Sequence, residues 1–160
     1  MSKDKIVALS KVKSLSSRLK SKKKKIVFTN GCFDIIHIGH VKYLERAKAF
    51  GDVLIVGVNS DSSMKKIKGS KRPIMGQDDR AGIVAGLESV DYVAIFNEAT
   101  PFNLIRSIRP DVLVKGADWK PNKIVGAEFI KSYGGRTISI PLVKGKSTSL
   151  IIRKIIKKSK

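Results

Sequence analysis

Along the chain, solidly apolar runs alternate with stretches whose apolar positions recur every three or four residues. The runs are KIVFTN (25–30), DVLIVGVN (52–59), DYVAIF (91–96), DVLVKG (111–116) and RTISIPL (136–142). KIVFTN holds a continuous apolar run and DVLIVGVN reads as a second buried strand, the pattern of strands buried on both faces, and the other three read as further strands. Between them, residues 38–50, 77–88, 123–133 and 147–158 carry helical spacing. Gly51 and Gly134-Gly135 give stop signals, and Thr100-Pro101 opens a further helix with Thr as cap and Pro at the first helical position. Near the start, Ile6, Leu9, Val12, Leu15 and Leu19 recur among lysines and serines, which predicts an amphipathic helix over 5–20 lying on the domain.

Strands alternating with helices predict an α/β fold with a doubly wound, five-stranded parallel sheet. Ligands of such sheets sit beyond the carboxyl ends of the strands at a topological switch point. The functional residues are therefore expected just after residues 30, 59, 96, 115 and 142.

Charge first suggests a nucleic-acid binder, because the net charge is +20 over 160 residues. Its distribution changes that reading. Residues 1–25 carry net +9 and residues 144–160 net +7, which leaves +4 for everything between. The excess belongs to the ends, as solvated tails or as surfaces for nucleic acid or an anionic membrane. Residues 1–24 read as a basic N-terminal helical extension, and 25–160 as the functional domain. Cys32 is the single cysteine, so the chain cannot close a disulfide on itself. No apolar run is long enough for a membrane span, and the lysine-rich start lacks the apolar core of a signal peptide. The expectation is a cytoplasmic protein.

Two nucleotide signatures are absent: no G-x-x-x-x-G-K-[ST], and no G-x-G-x-x-G after the first strand. The first loop instead runs Thr29-Asn30-Gly31-Cys32-Phe33-Asp34 and on to His37, Gly39 and His40, and it holds both histidines of the chain. One helical turn separates the two rings, so both can face one spot beside the free amides of a helix start. Gly39 lets a ligand approach the backbone there. The pair reads as a phosphate site, as a packed hydrogen-bonded pair, or as half of a metal site that lacks further ligands. Cys32 lies in this loop with no separate base, and packing is its simplest role.

Three further loops carry matching chemistry. Lys65, Lys66 and Lys68 follow the second strand, as a solvated charge run or as arms reaching phosphates. Lys115, Gly116, Asp118 and Trp119 follow the fourth, where Asp118 could bond a hydroxyl and Trp119 either fills the core or covers a sugar or base. After the fifth, Lys144 and Lys146 precede Ser147, Thr148 and Ser149. That stretch is a helix cap with two lysines or a second phosphate jaw.

Together these residues resemble the nucleotidyltransferases that carry an H-x-G-H motif. FTNGCFDIIHIGHVKYLERAKAFGD, VNSD, KKIKGSKRP, DDR, LESVDYVAIFNEATP, IRPDVLVKGADW and the Ser-Thr helix start are similar to D-glycero-β-D-manno-heptose 1-phosphate adenylyltransferases over about residues 25–155. In many bacteria that unit is the C-terminal half of a fusion with a kinase, and a stand-alone form is expected here. Glycerol-3-phosphate cytidylyltransferases and FAD-forming adenylyltransferases are more distant alternatives. Outside the class, the rival is a basic nucleic-acid-binding module.

The resemblance implies a Rossmann-like fold, ATP as donor, a sugar 1-phosphate as acceptor and a homodimer, with a separate heptose kinase in the same pathway. It implies in-line attack on the α-phosphorus. His37, His40 and Lys68 would be catalytic, and Lys66 is the alternative to Lys68 as the bridge between donor and acceptor phosphates. Arg80 would bind the acceptor phosphate or buttress the loop, and Ser147, Thr148 and nearby amides would hold the outer phosphates. Asp34 would orient the loop or help place Mg²⁺. Lys146, between the glycine and the Ser-Thr pair, is a position where relatives vary.

Overall fold

In the computed structural model, residues 2–117 and 124–159 are described. The five apolar runs form β1 (Ile26–Gly31), β2 (Val53–Asn59), β3 (Tyr92–Phe96), β4 (Val112–Gly116) and β5 (Arg136–Ile140). They make one parallel sheet in the order β3-β2-β1-β4-β5. The winding reverses between β1 and β4, so the crevice for a ligand opens where those two strands end.

The helices are α1 (Leu9–Ser21), α2 (Ile38–Lys48), α3 (Asp61–Lys68), α4 (Gln77–Gly86), α5 (Phe102–Ile108), α6 (Ala127–Lys131) and α7 (Thr148–Lys158), after a short 3₁₀ turn at Ser2–Lys5. Strand side chains alternate between two cores. Ile26, Phe28 and Ile55 pack with Val12, Leu15 and Leu19 of α1 and Leu104, Ile105 and Ile108 of α5. Val27, Leu54, Val56 and Val58 pack on the other face with Leu44 and Ala47 of α2 and Ala81, Val84 and Ala85 of α4. Each such side chain taken from water contributes about 1.5–3 kcal/mol. The basic N-terminal segment thus supplies three core residues, and Ser16 and Lys20 tie α1 to the carbonyls of Ile108 and Arg109.

The aspartate before several strands has a structural reason. Asp52 and Asp111 accept from the amides of Lys25 and Ile26 where β1 begins, and Asp91 accepts from Leu54 N in β2. Each carboxylate satisfies a strand-start amide that the ladder leaves open.

Three details differ from the sequence expectation. The lysines after β2 sit on α3, capped by Ser60, whose hydroxyl accepts from Ser63 N. Pro101 occupies the cap position of α5, and no side chain caps that helix. The helix expected over 123–133 narrows to Ala127–Lys131. No helix among the described residues is long and apolar enough to cross a membrane.

Candidate active site

The first loop leaves β1 at Gly31 and is strained. Phe33 and Ile35 have φ of 51° and 54°, the left-handed region that costs a bulky or β-branched residue about 1–3 kcal/mol. Asp34, between them, is 2% exposed and offsets that strain. Its carboxylate accepts from the amides of Ile74 and Met75 and lies 2.8 Å from Arg72 Nε. Its backbone carbonyl accepts from Thr148 Oγ1. One residue therefore joins the histidine loop, the stretch after α3 and the start of α7.

The histidines cap α2 reciprocally. His37 Nδ1 accepts from Gly39 N at 3.1 Å, and His40 Nδ1 accepts from His37 N at 3.4 Å. A neutral imidazole that accepts at Nδ1 carries its proton at Nε2. Both rings thus keep one outward N–H, and both line the cleft. They stack with centroids 3.9 Å apart, and Phe33 meets His40 edge-on. Gly39 makes the stack possible, since a Cβ there would lie 2.9 Å from the His37 ring and 3.3 Å from Lys146 Cβ.

Burial, then the neighbouring His37, then Lys68 push His40 down to about 4. Burial also lowers His37, a backbone hydrogen bond opposes it, and Lys146 adds a smaller lowering of its own. Both rings are neutral donors at neutral pH. Unfolded, His40 would take a proton below about 6.5, whereas folded it refuses one until about 4. Its contribution to stability is therefore full above that window and falls as pH drops through it. Because the chain has two histidines, NMR resolves each ring. In the free protein His40 is expected to titrate near 4, and an added polyphosphate should move that midpoint upward. A midpoint at or above the ordinary 6.5 in the free protein would refute this assignment.

Around the rings lies a cleft of about 530 Å³. Of the residues named from sequence, Asn30, Gly31, Cys32, Phe33, His37, Gly39, His40, Lys68, Lys115, Gly116, Lys146, Ser147, Thr148 and Ser149 line it. Lys115 Nζ meets Asn30 Oδ1 across the β1–β4 switch point. Ser147 caps α7 by accepting from Leu150 N, which leaves its own hydroxyl proton available. The Thr148 hydroxyl donates to Asp34, so the ligand face at this helix start consists of its amides and Ser147. Burial raises the Cys32 thiol, so it is a poor thiolate.

Six described residues named from sequence stand outside the lining, Lys65 and Lys144 among them. Thr29 is buried and pairs with Tyr43. Lys66 is exposed on α3. Asp34 faces Arg72 and two amides, away from any metal in the cleft. Arg80 is fully buried and donates to the carbonyls of Met75, Cys32 and Asn59 and to Asp61. That guanidinium has four of its five N–H bonds committed inside the fold and stands outside the cleft lining, the position of a buttress for the loop. Asp118 and Trp119 lie outside the described residues. The sequence reading missed Arg72 and Tyr43, which also line the cleft. Among the described residues the lining holds no carboxylate, and it carries Lys68, Arg72, Lys115 and Lys146 beside the two histidines, Cys32 and Tyr43. Such a cleft selects a polyanion.

A family model described as Cytidylyltransferase-like matches residues 28–154, which contain this whole site. The chain belongs to that family. This cytidylyltransferase-like chain is 54% identical over 138 residues to the bifunctional protein HldE of Geobacter sulfurreducens, covering 86% of this chain and 28% of the relative. It is 49% identical over 154 residues to the bifunctional protein HldE of Wolinella succinogenes, covering 96% of this chain and 32% of the relative. The chain thus spans about three-tenths of the length of these curated relatives. Among solved structures, it resembles the lipopolysaccharide core biosynthesis protein from Thermoplasma volcanium with a TM-score of 0.63 and 28% identity, over 77% of this chain and 99% of that one. The pantoate-beta-alanine ligase from Francisella tularensis shares the fold, with a TM-score of 0.64 and 16% identity, over 96% of this chain and 76% of that one.

Proposed function

We propose that this cytidylyltransferase-like chain transfers AMP from ATP to a heptose 1-phosphate, releasing pyrophosphate and forming ADP-heptose. The observation that carries the reaction class is the pair of neutral, Nδ1-anchored histidines in a cleft whose described residues include four cations and no carboxylate. The sequence resemblance supplies the acceptor class, and HldE relatives about half identical over most of the chain support it.

The nucleophile is a phosphate-monoester oxygen, already ionised near neutral pH, so no protein base is needed. It forms a bond to the α-phosphorus as the bond to the pyrophosphate oxygen breaks, and pyrophosphate leaves with the electron pair. The protein positions both partners and stabilises the charge that develops. His37 and His40 donate Nε2–H to the α/β-phosphate region. Ser147, the start of α7 and Lys146 hold the outer phosphates, and Lys68 spans donor and acceptor. Mg²⁺ does not fit the described residues as a protein-held ion. No cluster of three or more His, Cys, Asp or Glu is present among them, and Asp34 is spent on Arg72 and two amides. No step is therefore routed through it. A homodimer, a cytoplasmic location and a separate kinase that supplies the sugar phosphate belong to the same reading.

The test is a pyrophosphate-release panel crossing ATP and CTP with heptose 1-phosphate, glycerol-3-phosphate and FMN. The expected result is release from ATP with heptose 1-phosphate, at least tenfold above every other pair in kcat/KM. Preference for CTP with glycerol-3-phosphate, or for ATP with FMN, replaces the substrates. Steeply salt-dependent nucleic-acid binding with no release from any pair overturns the reaction.

A further inference from the structure

We propose that Arg72, held by Asp34, is the ligand for the acceptor's phosphate, and that it divides the cleft into a nucleotide half and an acceptor half. The proposal rests on the adenylyl-transfer reading and adds a subsite to it.

Three observations carry it. First, Arg72 is fixed. Its side chain is 15% exposed, and its Nε lies 2.8 Å from Asp34 Oδ2 on a carboxylate side chain that is itself 1% exposed. The same carboxylate takes the amides of Ile74 and Met75, so the arginine and its own strand of chain are pinned by one group. The contact is an ion pair without hydrogen-bond alignment at Nε, and the two terminal nitrogens carry four further N–H bonds. No other partner meets them among the described residues, and the residue lines the cleft. A pre-set planar fork of this kind matches a phosphate monoester in a bidentate way that a lysine does not.

Second, the chain turns to deliver it. Gly69 ends α3 with φ 88° and ψ 170°, a backbone state open to glycine, and Arg72 N bonds back to Gly69 O at 3.2 Å. Lys68 and Arg72, on either side of that turn, both line the cleft.

Third, the two walls differ. One side has α7's free amides, Ser147 and Lys146, which suit a triphosphate tail. Lys68 and Arg72 come from the chain after β2, and Lys68 acts electrostatically on His40. In-line transfer requires nucleophile and leaving pyrophosphate on opposite sides of the α-phosphorus. If the histidines hold the centre and α7 the leaving group, the α3 wall is the nucleophile's side.

The experiment compares Arg72→Gln and Arg72→Lys with the wild-type chain. Two quantities are measured: the KM for heptose 1-phosphate at saturating ATP, and ATP affinity by calorimetry without acceptor. Arg72→Gln is expected to raise the acceptor KM about 10- to 100-fold, with ATP affinity within about twofold, which also shows that the variant is folded. Arg72→Lys keeps the charge opposite Asp34 but loses the fork, and should recover less than half of that loss on a logarithmic scale. An unchanged acceptor KM in Arg72→Gln overturns the subsite. So does a loss of ATP affinity equal to the loss for the acceptor, which would put Arg72 on the nucleotide. Should the wild type release no pyrophosphate with heptose 1-phosphate, the reaction reading fails by itself. Inorganic phosphate binding then decides the subsite: weaker binding by Arg72→Gln supports it, and equal binding overturns it.

Discussion

Replacing His40 with alanine is expected to lower turnover about 10²–10³-fold while the chain stays folded and binds ATP within several-fold of wild type. The magnitude is that of removing one pre-aimed donor from a site where charge develops. Three features make His40 the residue to replace. Its ring is the more buried and is pushed down to about 4, so at neutral pH it is a donor without charge of its own. Its Nδ1 is committed to His37 N, which sets the proton on Nε2. It also stacks on His37, so the rings share one orientation. The fold should tolerate the change because the rest of the α2 cap, His37 Nδ1 with Gly39 N, remains. Steady-state pyrophosphate release and a thermal melt check both halves. A folded His40→Ala protein with wild-type turnover would sink the proposed mechanism.

Arg80→Met is expected to cost about 3–5 kcal/mol of unfolding free energy, measured by urea denaturation. Methionine approximates the volume but supplies no donor. The carbonyls of Cys32, Asn59 and Met75 and the Asp61 carboxylate would each lose a charged partner, two of those carbonyls lying at the carboxyl ends of β1 and β2. Buried acceptors left unpaired carry the full desolvation cost. Against a typical total of about 5–15 kcal/mol, that loss is large. A change below about 1 kcal/mol would mean that Arg80 is not the buttress its contacts describe. The same variant should disorder the histidine loop, since Cys32 O is one of the three carbonyls.

These two arginines show what could be read in the sequence. Four strands were legible because each holds a run of apolar residues bounded by turn signals, and β5 because Ile138 and Ile140 alternate with polar residues after Gly134-Gly135, and their carboxyl ends located the site. Helix α3 was not, because Asp61–Lys68 offers only Met64 and Ile67 as large apolar residues, too few to show a period. Arg80 carried a signal that was available: Arg80, Ala81, Val84 and Ala85 all lie on the buried face of α4, so its spacing already placed the guanidinium inward. Arg72 carried none. Within KGSKRP it looks like one more exposed cation, and its fate depends on Asp34, thirty-eight positions earlier. Local pattern reports burial well, but it does not report pairing between distant residues.

The family match begins at residue 28, inside β1, while Val12, Leu15 and Leu19 lie in the same core as Ile26 and Phe28. Family models follow positions that relatives share, whereas a folding unit follows the side chains that leave water together. Here the two frontiers differ by a whole helix. The lysine-rich front of the chain is the floor under the strand that delivers the histidines, so a change made there is expected to reach the histidine loop by mechanical support.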